Sequence, residues 1–180
     1  MMYGTFRPFR AANFQVKFAT QTWEKRDAAR LRHEVFCDEQ GLFAGDDRDA
    51  IDAVAIPIVA VSLLGLLADD VVGTVRIHEA EPGLWWGSRL AVAQDYRTVG
   101  ALGAALIRLA VSSAHARGCT TFLAHVQAQN ALLFRRLHWK IVEEKQLHGR
   151  PHVLMQADLA HYPPILDAET GFHAQPRRAA

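Results

Sequence analysis

The stretch from Leu90 to Gly118 constrains the fold of this chain more than any other part of the sequence. An apolar run, Leu90-Ala91-Val92, leads through a polar corner into a turn that contains Gly100 and Gly103. From Leu102 onward, apolar residues recur at the spacing of one helix face. A strand that turns through glycines into a helix presents free backbone amides and the positive end of the helix dipole, which together suit an anion. The alternative is a glycine-containing turn that binds no ligand.

The glycine spacing excludes two nucleotide-binding motifs. No Gly-Lys-Ser or Gly-Lys-Thr follows the turn, so it is not the phosphate loop of a nucleoside triphosphatase. Gly100-Ala101-Leu102-Gly103 also lacks the G-x-G-x-x-G spacing of a dinucleotide-binding fold. The motif by itself therefore leaves the identity of the anion open.

Composition and charge are those of an ordinary globular protein. Of the 180 residues, 50% are hydrophobic and 22% are charged, and the net charge is +1, so we expect neither a nucleic acid nor a membrane as a partner. The longest apolar stretch, residues 53–68, is interrupted by Pro57 and Gly65 and predicts no membrane span. The two cysteines, Cys37 and Cys119, form no C-x-x-C, which favours a reduced, cytoplasmic protein.

The remaining periodicity predicts an α/β (α+β) chain with a mixed, mostly antiparallel sheet of six or seven strands and helices on both faces. We expect strands over residues 14–18, 56–68, 71–78, 84–92, 120–126, 139–144 and 152–157, and helices over residues 22–36, 102–118 and 130–137. The turn between the second and third strands is predicted at Asp69-Asp70. Residues 1–162 are predicted to form one domain with a loose leader over 1–12, and residues 163–180 to form a mobile tail.

This order of elements, with the Leu90–Gly118 stretch in its middle, resembles the GNAT superfamily of N-acetyltransferases. The resemblance rests on Leu90-Ala91-Val92, Tyr96-Arg97, the two glycines and the segment from Asn130 to Trp139. It implies an enzyme that uses acetyl-CoA, with loop amides on the pyrophosphate and the pantetheine arm between splayed fourth and fifth strands. The cofactor-binding residues that it implies are Leu90, Ala91, Val92, Arg97, Val99, Gly100, Ala101, Leu102, Gly103, Ala104, Asn130 and Phe134.

The chain departs from the family pattern in two places that matter. The loop between Arg97 and Gly103 is one residue longer than usual, so the amides that meet the phosphates are uncertain by one position. The tyrosine that in the family often protonates the departing CoA thiolate corresponds to Phe134. A thiol leaves tolerably well as its anion at neutral pH, so the loss of this acid need not abolish transfer.

The segment from Leu31 to Gln40 resembles an L-R-x-x-V-F-x-x-E-Q signature of a GNAT subgroup and of the related acyl-homoserine-lactone synthases. Those proteins also carry acids after it, here Asp49 and Asp52, and a G-T-x-R, here Gly73-Thr74-Val75-Arg76. Within the signature, Arg32, Phe36 and Glu39 share one helix face, which in this subgroup lies beside the acceptor pocket.

Several of these residues have a structural alternative. An ion pair between Arg32 and an aspartate, or between Arg76 and Glu39, can instead pin the helix to the sheet. Trp85 and Trp86 point to opposite faces of a strand, so one belongs to the core and the other can wall the acceptor site. The candidate substrate residues are Arg32, Phe36, Glu39, Arg76, Trp85 and Arg89, with the arginines able to meet an acceptor carboxylate.

Direct attack of an amine on a thioester requires a group that accepts the amine proton. The fourth strand offers no glutamate, which often serves in GNAT enzymes. His125 has a suitable intrinsic pKa, although a histidine in an apolar strand can simply be packed there. Glu79 is the second catalytic candidate, and proton transfer to water is the third.

The histidines do not predict a metal site. The H-x-x-x-H from His148 to His152 contains Gly149 and Pro151 and cannot be helical, so it forms no ready zinc pair. The predicted function is therefore transfer of an acetyl group from acetyl-CoA to a small amine, with a homodimer left open. The alternatives are an acyl-homoserine-lactone-type acyltransferase and a non-catalytic acyl-CoA-binding module.

Overall fold

A computed structural model describes residues 10–99 and 101–175. Its strands are β1 (Phe14–Phe18), β2 (Ile56–Leu64), β3 (Leu67–Glu81), β4 (Leu84–Val92), β5 (Thr121–Gln127), β6 (Trp139–Leu147), β7 (Arg150–Ala157) and β8 (Phe172–Ala174). Its α-helices are α1 (Thr22–His33), α2 (Leu102–Ala116) and α3 (Ala131–Arg136), and a π-helical turn over Glu34–Glu39 continues α1. Short 3-10 turns cover Ala50–Ala53, Gln94–Val99, Ala128–Asn130 and Leu159–His161. Within the described residues, no helix combines the length and the apolar character that crossing a membrane would require.

The strands form one sheet in the order β6-β7-β5-β4-β3-β2-β1-β8. Neighbouring strands pair antiparallel except β4 and β5, which are parallel. The predicted fold class is confirmed, a mixed and mostly antiparallel sheet with helices on both faces. The described residues contain eight strands rather than six or seven, because β8 adds a strand beside β1.

Each face of the sheet packs against one long helix. Leu106 and Leu109 of α2 are fully buried against one face, together with Ile77 of β3, and this side is called the α2 face. Leu31 of α1 packs against the opposite face with Val59 of β2, and this side is called the α1 face. The alternation of side chains along a strand assigns consecutive residues to these two faces.

The hairpin turn between β2 and β3 lies earlier than predicted. It is formed by Gly65 and Leu66, and Asp69 and Asp70 instead lie within β3. Gly65 adopts a left-handed φ of 63°, which an aspartate accommodates less readily than glycine. The prediction at Asp69-Asp70 was therefore wrong because the single glycine determines where the chain reverses.

The prediction of a mobile tail from residue 163 does not hold for the part of it that the structure describes. β8 pairs with β1 in antiparallel register, Phe14 opposite Ala174. Ala168 is only 5% exposed, and its carbonyl accepts a hydrogen bond from the Phe18 amide at 2.8 Å. Ala11, in the predicted loose leader, is likewise buried. Residues 1–9 and 176–180 lie outside the described residues.

Candidate active site

The parallel strands β4 and β5 separate in the middle of the sheet. Their pairing runs from Leu84 with Thr121 to Gly87 with Ala124, and no pairing of the two strands is found beyond it in the described residues. Near this point β4 carries an irregularity, with Arg89 at a left-handed φ of 56°. A bulge of this kind bends a strand away from its neighbour. The strands therefore leave a split that is open toward the end of β4.

A cavity of about 440 Å³ reaches through this split. On the α2 face it is lined by Ile107, Ala110, Phe122 and Phe134, and on the α1 face by Phe36, Phe43, His78, Trp86, His125 and His148. Gly87 also lines the cavity, and a Cβ atom there would lie 3.0 Å from the ring of Phe122. The cavity therefore connects the two faces at the place where the strands part.

The N-terminus of α2 offers backbone amides beside the open end of the split. Its N-cap residue, Ala101, makes no side-chain cap hydrogen bond, and the first turn of the helix contains no acid. The first amides of an α-helix lack partners within the helix. A Cβ added to Gly103 would meet no atom within 4 Å, so the surface over this turn is open. These features fit the diphosphate of a CoA molecule.

The predicted cofactor-binding residues differ in where the structure places them. Leu90, Asn130 and Phe134 line the cavity. Ala101, Gly103 and Ala104 are half-buried at the start of α2, and Val92 is half-buried at the end of β4. Ala91 and Leu102 are instead buried in the two cores, on the α1 and α2 faces respectively. Gly100 and the side chain of Val99 lie outside the described part of the chain.

Arg97 is held by protein groups in front of the helix. Its Nη2 donates to Glu39 Oε2 at 2.8 Å, and its Nε donates to the Val92 carbonyl at 2.9 Å. Glu39, a predicted substrate residue, is held in this ion pair with Arg97 and does not line the cavity. This pair joins the turn before α2 to the π-helical turn after α1.

Arg32, Arg76, Arg89, Asp47, Asp49 and Asp52 form one ion-pair network, called the Arg/Asp network. Arg76 donates to both oxygens of Asp49, at 2.7 and 2.8 Å, and its Nε donates to Ser88 Oγ. Arg32 donates to Asp47 at 2.7 Å and to Asp52 at 2.6 Å. The alternative of an Arg32–aspartate pair is therefore realised, whereas Arg76 pairs with Asp49 and Asp52 and not with Glu39.

Two carboxylates of this network, those of Asp49 and Asp52, are held ionised. Hydrogen bonds from Arg76 lower the pKa of Asp49, against the opposing effect of burial. Burial would raise the pKa of Asp52, but hydrogen bonds from Arg32, the Asp49 amide and Arg76 outweigh it and leave the pKa well below its usual range. Carboxylates with such pKa values are weak proton acceptors. The network therefore fixes the α1 helix and its loop to the sheet, and Arg32 does not line the cavity.

His125 is the predicted catalytic residue that lines the cavity. Its ring packs against Trp86, with centroids 5.1 Å apart. Burial lowers the pKa of His125, and the positive charge of Lys145 and a charged His152 lower it further. The imidazole is therefore neutral at neutral pH, as a proton acceptor must be.

Glu79 and Trp85 lie on the α2 face of the sheet, opposite His78 and Trp86, and do not line the cavity. They are cross-strand partners, as are His78 and Trp86 one position along. Trp85 is 4% exposed in the core, and Glu79 Oε1 accepts a hydrogen bond from the Gly83 amide at 2.9 Å. The structure therefore does not bring these two side chains beside His125, because alternate strand residues face opposite sides of the sheet. Trp86 takes the position predicted for Trp85.

Three histidines of the cavity lining were not predicted as site residues: His78, His148 and His152. Burial, and secondly the charge of Arg76, lowers the pKa of His78, and its Nδ1 is buried with no hydrogen-bond partner in the described chain. His148 has a φ of 50° in the β6–β7 turn and packs against Phe43, with ring centroids 4.7 Å apart. Only the register of β3 on β4 brings His78 beside Trp86, and no local sequence signal contains that register.

Phe134 occupies the cavity wall without a hydroxyl. It is buried and packs edge-on against Trp139, with ring centroids 5.1 Å apart. Tyr96 packs against Phe14, and the Tyr162 hydroxyl donates to the Leu137 carbonyl; neither tyrosine lines the cavity. The described residues therefore contain no tyrosine in place of Phe134.

Sequence comparison places these features in a family. The sequence profile of the Acetyltransferase (GNAT) family matches residues 19–138. One relative is a Bacillus subtilis (strain 168) protein that is described as an acetyltransferase. It is 29% identical to this chain over 142 residues, which are 78% of this chain and 93% of that protein.

Two solved structures are similar in fold. A structure described as an N-acetyltransferase from Lactobacillus plantarum has a TM-score of 0.70 at 20% identity and covers 80% of this chain and 97% of its own. BjaI, described as a CoA-dependent acyl-homoserine lactone synthase with SAM and isopentyl-CoA, has a TM-score of 0.66 at 17% identity. That match covers 81% of this chain and 83% of BjaI.

Proposed function

The chain belongs to the GNAT acetyltransferase family, which carries out acyl transfer from acyl-CoA, and on this premise we propose that it transfers an acetyl group from acetyl-CoA to the amine of a small molecule. The observation that carries the proposal is one cavity that joins a split between two strands to a neutral imidazole, together with an uncapped helix N-terminus that follows the end of β4 along the chain. The helix N-terminus and the split support cofactor binding, and the imidazole supports proton removal.

The first step is cofactor binding. The amides of the first turn of α2 would hold the diphosphate, because they lack partners and lie at the positive end of the helix dipole. The unpaired edge of β4 from Ser88 to Val92 would pair with the amides of the pantetheine arm, as an added strand would. When bound, acetyl-CoA supplies the thioester carbonyl that the amine attacks.

The second step is proton removal from the attacking amine. His125 would accept this proton on a ring nitrogen, since its imidazole is neutral and exposed to the cavity. His78 is the neighbouring alternative, but its Nδ1 is buried away from solvent. Asp49 also lines the cavity, and its two hydrogen bonds from Arg76 make it a poor base.

The departing thiolate would leave without a protein acid from α3. Phe134 contributes only an apolar wall, so the thiolate takes its proton from solvent. This is chemically feasible because a thiol pKa near about 8.5 makes the thiolate a moderate leaving group at neutral pH.

A reducing, cytoplasmic setting is also part of the proposal. It is supported by Cys37 and Cys119, which are both free thiols. A homodimer stays open.

Titration calorimetry with acetyl-CoA, followed by free-thiol release with a panel of amines, tests the function. We expect acetyl-CoA to bind and thiol release to depend on an amine. Binding without release for any amine would favour the non-catalytic acyl-CoA-binding alternative. Failure to bind acetyl-CoA would contradict the proposal altogether.

A further inference from the structure

The α1-face part of the cavity, called the acceptor chamber, is walled by aromatic and imidazole rings. These are Phe36, Phe43, His78, Trp86, His125 and His148. Two pairs of them are in ring contact, Trp86 with His125 and Phe43 with His148. Walls of this kind favour a planar ring on the ligand, because offset and edge-on ring contacts are stabilising.

The charged side chains that line the chamber are already paired with one another. Asp49 is held by both terminal nitrogens of Arg76, and Arg89 Nη2 lies 3.2 Å from Asp49 Oδ2. Arg89 also donates to Asp47, and its guanidinium lies 4.4 Å from the centroid of the Phe43 ring. As far as the structure describes the lining, no arginine is left to receive an acceptor carboxylate.

Two further cations lie near the rim of the chamber. Lys145 Nζ is 3.4 Å from Glu143 Oε2, and both side chains are more than a third exposed. Arg150 donates to the Gln40 carbonyl and is also exposed. Water screens exposed charges of this kind, so they compensate weakly for a charge inside the chamber.

The imidazoles add hydrogen-bonding capacity without charge. Burial lowers the pKa values of His78 and His125, so both rings are neutral at neutral pH. The ring of His125 is exposed to the chamber and offers a nitrogen to a ligand, whereas His78 Nδ1 is buried and finds no partner in the described residues. The chamber thus offers ring nitrogens for hydrogen bonds, and Arg76, Arg89 and Asp49 in its wall are already paired.

We propose that the acceptor is an aromatic amine that carries neither a carboxylate nor a phosphate, of the arylalkylamine kind. This rests on the proposed function. The ammonium form of the amine first loses one proton to solvent; the free base then attacks, the amide C–N bond forms, the C–S bond of the thioester breaks, the second amine proton passes to His125, and CoA leaves as the thiolate. An acceptor carboxylate in the chamber would be buried without a counter-ion, which is costly. Amino acids and SAM, which carry that carboxylate, are therefore disfavoured.

A binding experiment tests this class without relying on turnover. Calorimetry on the full chain with CoA present compares 2-phenylethylamine with phenylalanine, which differs by the carboxylate, and with butylamine, which lacks the ring. We expect 2-phenylethylamine to bind about tenfold or more tightly than either. Phenylalanine would bury an unpaired carboxylate, and butylamine would lose the ring contacts. Equal or tighter binding of phenylalanine or butylamine would overturn the proposal.

A variant pair assigns the binding to the chamber. Trp86→Ala should weaken 2-phenylethylamine binding about tenfold, since it removes a ring contact and its buried area. Leu66→Ala, at a residue that is 98% exposed in the β2–β3 turn, is the control and should leave it unchanged. Unchanged binding in Trp86→Ala would contradict the assignment.

Thiol release with the same amines separates the two proposals. Preferential release with phenylalanine or butylamine would overturn the aromatic class and leave amine acylation intact. Selective binding of 2-phenylethylamine without thiol release would overturn the proposed function and leave the ligand class of the chamber standing. Selective binding with release supports both.

Discussion

The rings of Trp86 and His125 lie against each other at the split between β4 and β5, with their planes inclined by 34°. Trp86 still belongs to the paired part of β4, and His125 is the residue of β5 directly after the paired part ends. The contact therefore holds the imidazole beside the point where the strands separate. Under the proposed function, this is where the thioester and the amine meet.

His125→Gln should lower kcat by about a hundredfold or more, the usual contribution of a positioned base. The affinity for acetyl-CoA should stay nearly unchanged, because its diphosphate would bind at the N-terminus of α2, outside the cavity lining that contains His125. His78→Gln is the matched variant and should change kcat by less than about tenfold. Steady-state kinetics and calorimetry measure both; a larger loss in the His78 variant would identify His78 as the base.

The pH dependence of kcat/KM should show an acid limb below 6.5, the ordinary pKa of the imidazole. Burial lowers the pKa of His125, so the neutral form that accepts a proton persists to lower pH, and activity falls only when the pH passes below that pKa. The limb should disappear in His125→Gln. An acid limb above 6.5, or one that the variant retains, would rule out His125 as the titrating group.

Ala101→Asp should weaken CoA binding without unfolding the protein. A carboxylate at the N-terminus of α2 interacts favourably with the helix dipole, by about 0.3–1 kcal/mol, yet repels the diphosphate. We expect Kd for CoA to rise about tenfold or more, which corresponds to about 1.4 kcal/mol. Ala101→Asn, which has the same shape without the charge, is the control in calorimetry and thermal unfolding. Equal Kd values for the two variants would place the diphosphate elsewhere.

Asp47→Asn should destabilise the protein by about 3 kcal/mol or more, because it leaves Arg32 and Arg89 partly uncompensated in a buried network. Asp47 is 2% exposed. Asp70→Asn breaks an exposed pair with Arg30 and should cost about 0–1 kcal/mol. Urea unfolding measures both, and similar midpoints would mean that the Arg/Asp network does not hold the loop.

Gly171→Ala should be more destabilising than Gly65→Ala, although both glycines have a φ of 63°. A Cβ at residue 171 would lie 1.8 Å from the backbone oxygen of Val16 in β1, whereas one at residue 65 meets nothing within 4 Å. Gly65→Ala should therefore cost only the conformational strain, about 1–2 kcal/mol. Gly171→Ala should have the same strain and should also displace the segment before β8. We expect a lower urea midpoint than for Gly65→Ala and faster amide exchange in β1. Equal midpoints would contradict the close packing at Gly171.

Prediction from sequence succeeded where the signal is local. The strand, turn and helix between Leu90 and Gly118, and the apolar faces of α1 and α2, follow from periodicity within one segment. The differences concern non-local pairing: β8 against β1, and Glu79 and Trp85 on the α2 face, outside the cavity lining. Both depend on which residues become cross-strand partners, and this register is not contained in either segment alone.

The sequence by itself determined the class of sheet, the helix N-terminus that suits an anion and the family resemblance, because these depend on the order and spacing of neighbouring residues. Only the tertiary structure decided which charged side chains pair with one another and which rings line the cavity. Arg76 and Arg89, which the sequence left available for an acceptor carboxylate, are engaged by Asp47 and Asp49. The Leu90–Val92 segment of β4 separates from β5 only in the folded sheet. Contacts between residues far apart in the chain exist only after folding, so an ion-pair network and a cavity wall cannot be derived from spacing.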